Sequence, residues 1–279
     1  TQFKRWYSQS GTPRLNATQH YDHDKQLYTL TIEQTAPLNQ PDNKSLHIPF
    51  AIELLDENGQ SIALTYQGEK RDHVLNVTAP TQTFYFDQIP ARPVAVLLED
   101  FSAPCILSQQ NSEPDLLHIM RFARSDFSRW DAQQQLFINA VKQAVNAPEH
   151  ATLSENVINA LRVLISAQSG DLALVAELIK LPSFDTFAAE FDIIPVDEII
   201  TITRLFEQQI AEQLSDELLH CYSSLVDDGS INPDAVAIRA LKGVCLHYLA
   251  KIPSEQVDRF IRESADSPNM TNVLASLSA

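Results

Sequence analysis

Apolar and polar positions alternate through much of the first hundred residues. Ile48, Phe50, Ile52 and Leu54 recur with period two, as do Tyr28, Leu30 and Ile32, opposed by Thr29, Thr31 and Glu33. That period places the apolar set on one face of a strand, because successive side chains point to opposite faces of a sheet. Asp56-Glu57-Asn58-Gly59 supplies a hairpin turn before a second arm through Ile62 and Leu64. Further short strands are predicted around 15–21, 74–78, 83–86 and 94–98, separated by Pro, Gly and Asn turn signals. Short strands at this spacing predict an antiparallel β-sandwich over residues 1–108.

The period changes after the polar stretch Ser108-Gln109-Gln110-Asn111-Ser112-Glu113-Pro114, whose proline suits the first turn of a helix. From Asp115 onward apolar residues recur at three and four. Trp130, Phe137, Val141 and Val145 share one face, and Ile199, Ile202, Phe206, Ile210, Leu214, Leu218 and Cys221 form one longer ridge. Ser128 with Asp131 resembles a capping box, Ser154, Asp171 and Ser254 can cap, and Pro195 and Pro233 fall in first turns. This pattern predicts about eight helices over residues 109–279. Short loops between them favour antiparallel hairpins stacked in an α-solenoid-like superhelix, although no strict period identifies a named repeat. The expected fold class is multidomain β + α, a sandwich followed by an α-helical superhelix.

Composition narrows the setting. The 279 residues leave room for about two domains, and 44% apolar with 20% charged residues is ordinary for a globular chain. No apolar run reaches the roughly 18 residues needed to cross a bilayer. A net charge of −16 argues against nucleic acid and anionic membrane surfaces as partners, since both are held by clustered Lys and Arg. Cys105, Cys221 and Cys245 are far apart and form no Cys-x-x-Cys pair, which suits buried thiols in a reducing, cytoplasmic compartment. Thr1 to Arg14 lack the apolar core of a signal peptide. The chain does not open on Met, which fits a mature end after processing and a cut inside a longer reading frame equally, and Phe3-Lys4-Arg5-Trp6-Tyr7 starts as if mid-structure.

Catalytic motifs are absent from the sequence. No His precedes a Glu, so His-Glu-x-x-His does not occur, and the spacing of the six glycines excludes Gly-x-Gly-x-x-Gly, a P-loop and Gly-x-Ser-x-Gly. His20-Tyr21-Asp22-His23-Asp24 is dense in metal-ligating types, but between two strands it reads as a solvated turn. Glu217, His220 and Cys221 stand at i, i+3, i+4 and could present carboxylate, imidazole and thiol to one ion. The plainer reading lets Cys221 complete the apolar ridge while the other two edge toward solvent. Cys245 and His247 differ by two on a helix and point apart. Asp126, Arg129 and Asp131 around Trp130 read as capping and a surface ion pair. Asp227-Asp228 and the run Glu207, Glu212, Asp216 read as a solvated face. No catalytic, metal or substrate-binding residue is expected, nor a cofactor in this chain.

Phe3-Lys4-Arg5-Trp6-Tyr7-Ser8-Gln9-Ser10-Gly11-Thr12-Pro13 resembles the segment that enters the β domain of bacterial aminopeptidases of the aminopeptidase N family. The likeness continues through Leu46-His47-Ile48-Pro49-Phe50-Ala51-Ile52-Glu53-Leu54, Val74-Leu75-Asn76-Val77-Thr78 and Phe101-Ser102-Ala103-Pro104. It runs on through Arg124-Ser125-Asp126-Phe127-Ser128-Arg129-Trp130-Asp131-Ala132 and Phe191-Asp192-Ile193-Ile194 to Asn269-Met270-Thr271. Almost the whole chain is covered in the expected order. Asn272, where the family pattern usually has Asp, and the stretch from Leu15 to Asp24 depart from it.

The resemblance implies a four-part zinc metallo-aminopeptidase of the membrane alanyl class. There, zinc activates water and a glutamate serves as general base to release single N-terminal residues, Ala and other neutral or basic ones, from peptides. The family's zinc motif and its Gly-x-Met-Glu-Asn strand lie upstream of the matched region, and Met120 and Met270 sit in neither. The implied role is a non-catalytic connector whose partners are the catalytic and C-terminal parts of the same chain. Its free ends would expose Phe3, Trp6 and Tyr7, and Val273, Leu274 and Leu277. Two other readings stay open: a stand-alone protein-binding module, and an enzyme acting through Glu217, His220 and Cys221.

Overall fold

A computed structural model describes residues 1–35, 44–167 and 170–279. The chain divides into two compact units, Thr1–Ala132 and Gln133–Ala279.

The first unit opens with a short helix, α1 (Arg5–Ser8), and its described residues form nine strands: β1 (Arg14–Asp22), β2 (Leu27–Thr35), β3 (Ile48–Leu55), β4 (Thr65–Tyr66), β5 (Glu69–Lys70), β6 (Val74–Val77), β7 (Thr81–Phe86), β8 (Val94–Leu97) and β9 (Ile106–Ser108). One sheet has the order β7-β2-β1-β9 and a second β6-β3-β8, with β4-β5 as a separate small hairpin. The two larger sheets share one core. Leu15, Leu30, Ile32 and Phe86 come from the first and Ile48, Phe50, Ile52, Leu75 and Val77 from the second, as the period-two pattern requires.

Three features depart from the pattern reading. The sheet is not wholly antiparallel: β9 lies parallel to β1, pairing Arg14 with Ile106 and Asn16 with Ser108. The second hairpin arm ends almost at once, with a bridge from Leu55 to Ser61 and a bond from Ile62 N to the Leu54 carbonyl; the same edge of β3 is taken up from Ile52 back to Ile48 by His73 and β6, while β8 pairs with the opposite edge. On β3 both faces are buried, Ala51, Glu53 and Leu55 included. Trp6 is not a free end group either, since it packs on the core and donates from Nε1 to the His47 carbonyl at 2.9 Å.

Helix α2 (Glu113–Phe122) starts at Ser112, whose hydroxyl accepts from Asp115 N, with Pro114 in its first turn. It docks on the β3 turn: His118 Nε2 lies 2.8 Å from the Asp56 carbonyl. Phe122 fills the space where a Cβ on Gly59 would stand, 2.2 Å from its ring. Gly59 also holds φ +78°, so turn geometry and packing both demand glycine.

The remaining helices are α3 (Asp126–Ala144), α4 (Glu155–Ala167), α5 (Leu172–Ile179), α6 (Phe184–Ala188), α7 (Val196–Gln213), α8 (Ser215–Ser224), α9 (Pro233–Leu249), α10 (Glu255–Ala265) and α11 (Met270–Ser278). The single ridge expected from Ile199 to Cys221 is two helices, broken at Leu214, whose φ of −121° leaves the helical region. The apolar period survives the break because Leu214 and Leu218 stay buried. Helices are shorter and more numerous than the pattern suggests. At the start of α3, Ser125 is the cap, accepting from Ser128 N at 3.2 Å, so the Ser128 capping box is displaced by one turn. Ser154 and Asp171 cap as expected, Ser254 makes no cap bond, and Pro195 sits at the N-cap of α7. Within the second unit α9 packs against α5, α7, α8, α10 and α11. Tyr248 fixes its far end by donating to the Ile179 carbonyl at 2.6 Å.

Candidate functional site

The structure separates most of the residues grouped by the sequence. Asp22 accepts from Lys25 N and Nζ at 3.1 and 2.7 Å in the exposed turn between β1 and β2. These bonds hold its carboxyl below the usual carboxylate range. Glu217 pairs with Arg162 Nε at 2.7 Å, His220 faces solvent and Cys221 is buried, so the three do not converge. His247 places Nε2 3.0 Å from Glu207 Oε1, while Cys245 is fully buried nearer α8. Arg129 donates to the Met120 carbonyl at 2.9 Å and lies 3.6 Å from Asp126, and the Trp130 ring is tilted against Phe127 at 5.7 Å between centroids. Among the described residues no three His, Cys, Asp or Glu side chains gather in a way that could hold a metal ion.

Two acids read as a solvated face are in fact tied down. Glu207 is half-buried and accepts from both His247 and Lys251. Against the cost of burial, these partners hold its carboxyl below the usual value. Asp227 accepts from Arg239 Nη1 at 2.8 Å, Asn272 Nδ2 at 2.9 Å and Gly229 N at 3.0 Å, and against burial these bonds hold it low as well. Asp227 thereby ties the loop after α8 to α9 and to the start of α11.

A cavity of about 680 Å³ opens beside this tie, lined by Tyr222, Asp227, Lys242, Leu246, Glu263 and Asn272. Lys242 reaches into it from α9, donating to the Tyr222 and Leu225 carbonyls at 3.0 Å each and lying 4.1 Å above the Tyr222 ring. Burial lowers the Lys242 ammonium below its ordinary value. Both polar partners of the lysine are carbonyls at the end of α8, where four carbonyls lack helical donors. The lysine therefore works as a helix C-cap.

The first unit holds a second polar centre. Arg124 makes a two-point bond to Glu99, at 2.9 and 2.7 Å, while its backbone N–H reaches Glu53 Oε2 at 3.1 Å. Ser61 also donates to Glu53. Glu99 sits in a turn where Leu98, Asp100 and Phe101 all have positive φ, between 50° and 56°. Three non-glycine residues there are strained. The turn is held by Glu99, by Ser102 Oγ accepting from Ala51 N at 2.9 Å, and by Ser125 Oγ donating to Asp100 at 3.3 Å. It leaves Phe101 half exposed against Phe127, with ring centroids 5.6 Å apart.

Both centres are carboxylates held by guanidinium and backbone N–H donors. Their chemistry is the fixing of backbone: each ties a loop that sequence reasoning left unassigned. The partners lie 12 residues apart for Asp227–Arg239 and 25 for Glu99–Arg124, beyond any helical or strand period.

Residues 11–110 match the family model described as a domain of unknown function (DUF3458) with an Ig-like fold. Residues 113–279 match that described as a domain of unknown function (DUF3458_C), ARM repeats. Aminopeptidase N of Escherichia coli K12 is 39% identical over 99% of this chain, and that of Haemophilus influenzae 35% identical over the same share. The chain spans 33% and 32% of those two relatives. The crystal structure of Legionella pneumophila aminopeptidase A in complex with aspartic acid superposes with a TM-score of 0.84 at 25% identity. The match covers 99% of this chain and 32% of that one.

Proposed function

The chain belongs to the DUF3458_C family of ARM-repeat domains, and from that premise we propose that it is the non-catalytic connector of a zinc-dependent aminopeptidase. The observation that carries this reading is the extent of the match. Homology to aminopeptidase N runs along 99% of the chain yet occupies only a third of the relative's length. The ties described above suit the role, since both acid centres immobilise loops. Zinc, the general base and the preference for Ala and other neutral or basic N-termini belong, on this reading, to the parts of the parent that this region joins. Those parts and the parent's peptide substrates are its partners, with no role for nucleic acid or a membrane. No helix among the described residues is long and apolar enough to cross a membrane, and three free, buried cysteines suit a cytoplasmic setting.

The test compares this chain with the reading frame that contains it. The chain alone is expected to hydrolyse no alanyl or leucyl amide and to bind no stoichiometric zinc by elemental analysis. The longer frame is expected to do both and to carry His-Glu-x-x-His and Gly-x-Met-Glu-Asn upstream. Turnover by the homogeneous chain overturns the proposal. So does a start codon directly ahead of the Thr1 codon without those motifs upstream, which makes the chain a stand-alone binding module.

A further inference from the structure

Two thiols, Cys221 and Cys245, are buried between α8 and α9. Lys242 on α9 bonds the carbonyls of Tyr222 and Leu225 at the end of α8, which sets the register of these packed helices. One turn further along α9 is Cys245, and one turn back along α8 from Leu225 is Cys221, so the two cysteines face each other beneath the lysine. Both are fully buried, on packed helices that leave their thiols close enough to interact. Packed helix axes stand about 8–10 Å apart with Cα atoms on cylinders of about 2.3 Å radius. Directly facing residues therefore fall close to the roughly 4.4–6.8 Å that a disulfide spans between Cα atoms.

The local electrostatics give the two thiols different parts. The neighbouring Cys245 thiol, aided by the Lys242 cation, draws the Cys221 thiol below its ordinary value against the cost of burial. Cys221, with burial, pushes Cys245 up. Cys221 is thus the attacking sulfur and Cys245 the resolving one. Cys105, alone in the first unit, has no such partner, and burial pushes it up to about 12.

We propose that Cys221 and Cys245 form a reversible disulfide on exposure to a small neutral hydroperoxide. The Cys221 thiolate attacks one oxygen of hydrogen peroxide and breaks the O–O bond. This gives a sulfenic acid and hydroxide, and the thiol proton neutralises the hydroxide to water. The Cys245 sulfur then attacks the sulfenic sulfur, expelling a second water as its own proton passes to the leaving oxygen. Two thiols are oxidised by one peroxide, which is reduced to two waters. The bond staples the end of α8 to α9 across the loop that Asp227 already ties.

The experiment treats the folded chain with hydrogen peroxide, quenches with catalase, then denatures it in excess iodoacetamide and measures the intact mass. The untreated chain is expected to take three adducts. The treated chain is expected to take one, on Cys105, with a peptide map joining residue 221 to residue 245 and all three adducts restored after dithiothreitol. Lys242→Met is expected to slow the loss several-fold. Three adducts after treatment, a cross-link through Cys105, or sulfinic acid at either residue without a cross-link overturns the proposal. The wild-type map decides this without a cysteine variant, and independently of any peptidase assay.

Discussion

The β unit and the helical unit each secure a loop with a buried ion pair, but they bury opposite members. In the β unit the carboxylate is inside, with the Glu99 side chain 6% exposed against 58% for Arg124. In the helical unit the guanidinium is inside, with Arg239 3% exposed against 13% for Asp227. The difference decides what happens when the outer partner is lost. A stranded carboxylate can take up a proton and become neutral, whereas a stranded guanidinium has no such escape. The helical unit has therefore staked more on its pair.

The largest predicted effect follows directly. Asp227→Ala leaves Arg239 charged and uncompensated, and should destabilise the helical unit by about 3–5 kcal/mol, read in denaturant melts followed by far-ultraviolet circular dichroism. Arg124→Ala should cost less, about 1–3 kcal/mol. Both tryptophans, Trp6 and Trp130, lie in the first unit, so fluorescence reports Arg124→Ala separately from the helical signal. Equal losses at both sites would remove the asymmetry.

Acid titration sharpens the contrast further. Glu207 has a folded-state value below the usual one, so the native state binds fewer protons than the unfolded chain near the ordinary carboxylate value of about 4.3. Its contribution is complete above that value and is lost as pH falls through the depressed one. Glu207→Gln should flatten the acid limb of the dichroism-monitored stability while leaving the fluorescence-monitored limb, where Asp115 is held low against burial by Arg92 and Ser112, unchanged. The smallest effect is a gain. Asp100→Gly relieves a positive φ of 56° at the loss of the Ser125 bond, and should shift stability upward by up to about 1 kcal/mol in a fluorescence-monitored melt.

The elements were legible wherever one period governed a long run. The core residues of β2 and the ridge of α7 are those the alternation and the three-four spacing select. Short elements were not: β4, β5 and β9 span two or three residues each, too few to express a period, and exist because neighbouring backbone pairs with them. The break at Leu214 was hidden because the apolar ridge continues through it. The ion pairs were invisible for another reason. Asp227 beside Asp228 looks like surface charge, and only the fold brings up Arg239 and Asn272. The cysteines, 24 positions apart, carried no spacing signal at all, since two packed helices make the pair.

Strand β9 has a mechanical meaning. It lies parallel to the start of β1, with Arg14 opposite Ile106 and Asn16 opposite Ser108. The chain enters this pair at Arg14 and leaves it at Ser108, so tension applied through the backbone on either side pulls the two strands in opposite directions along their length. Their cross-links are then loaded together, in shear, instead of being peeled one after another. A three-residue strand, too short to register in the sequence, is placed to act as a clasp that keeps the strain of the helical region from unzipping the sandwich.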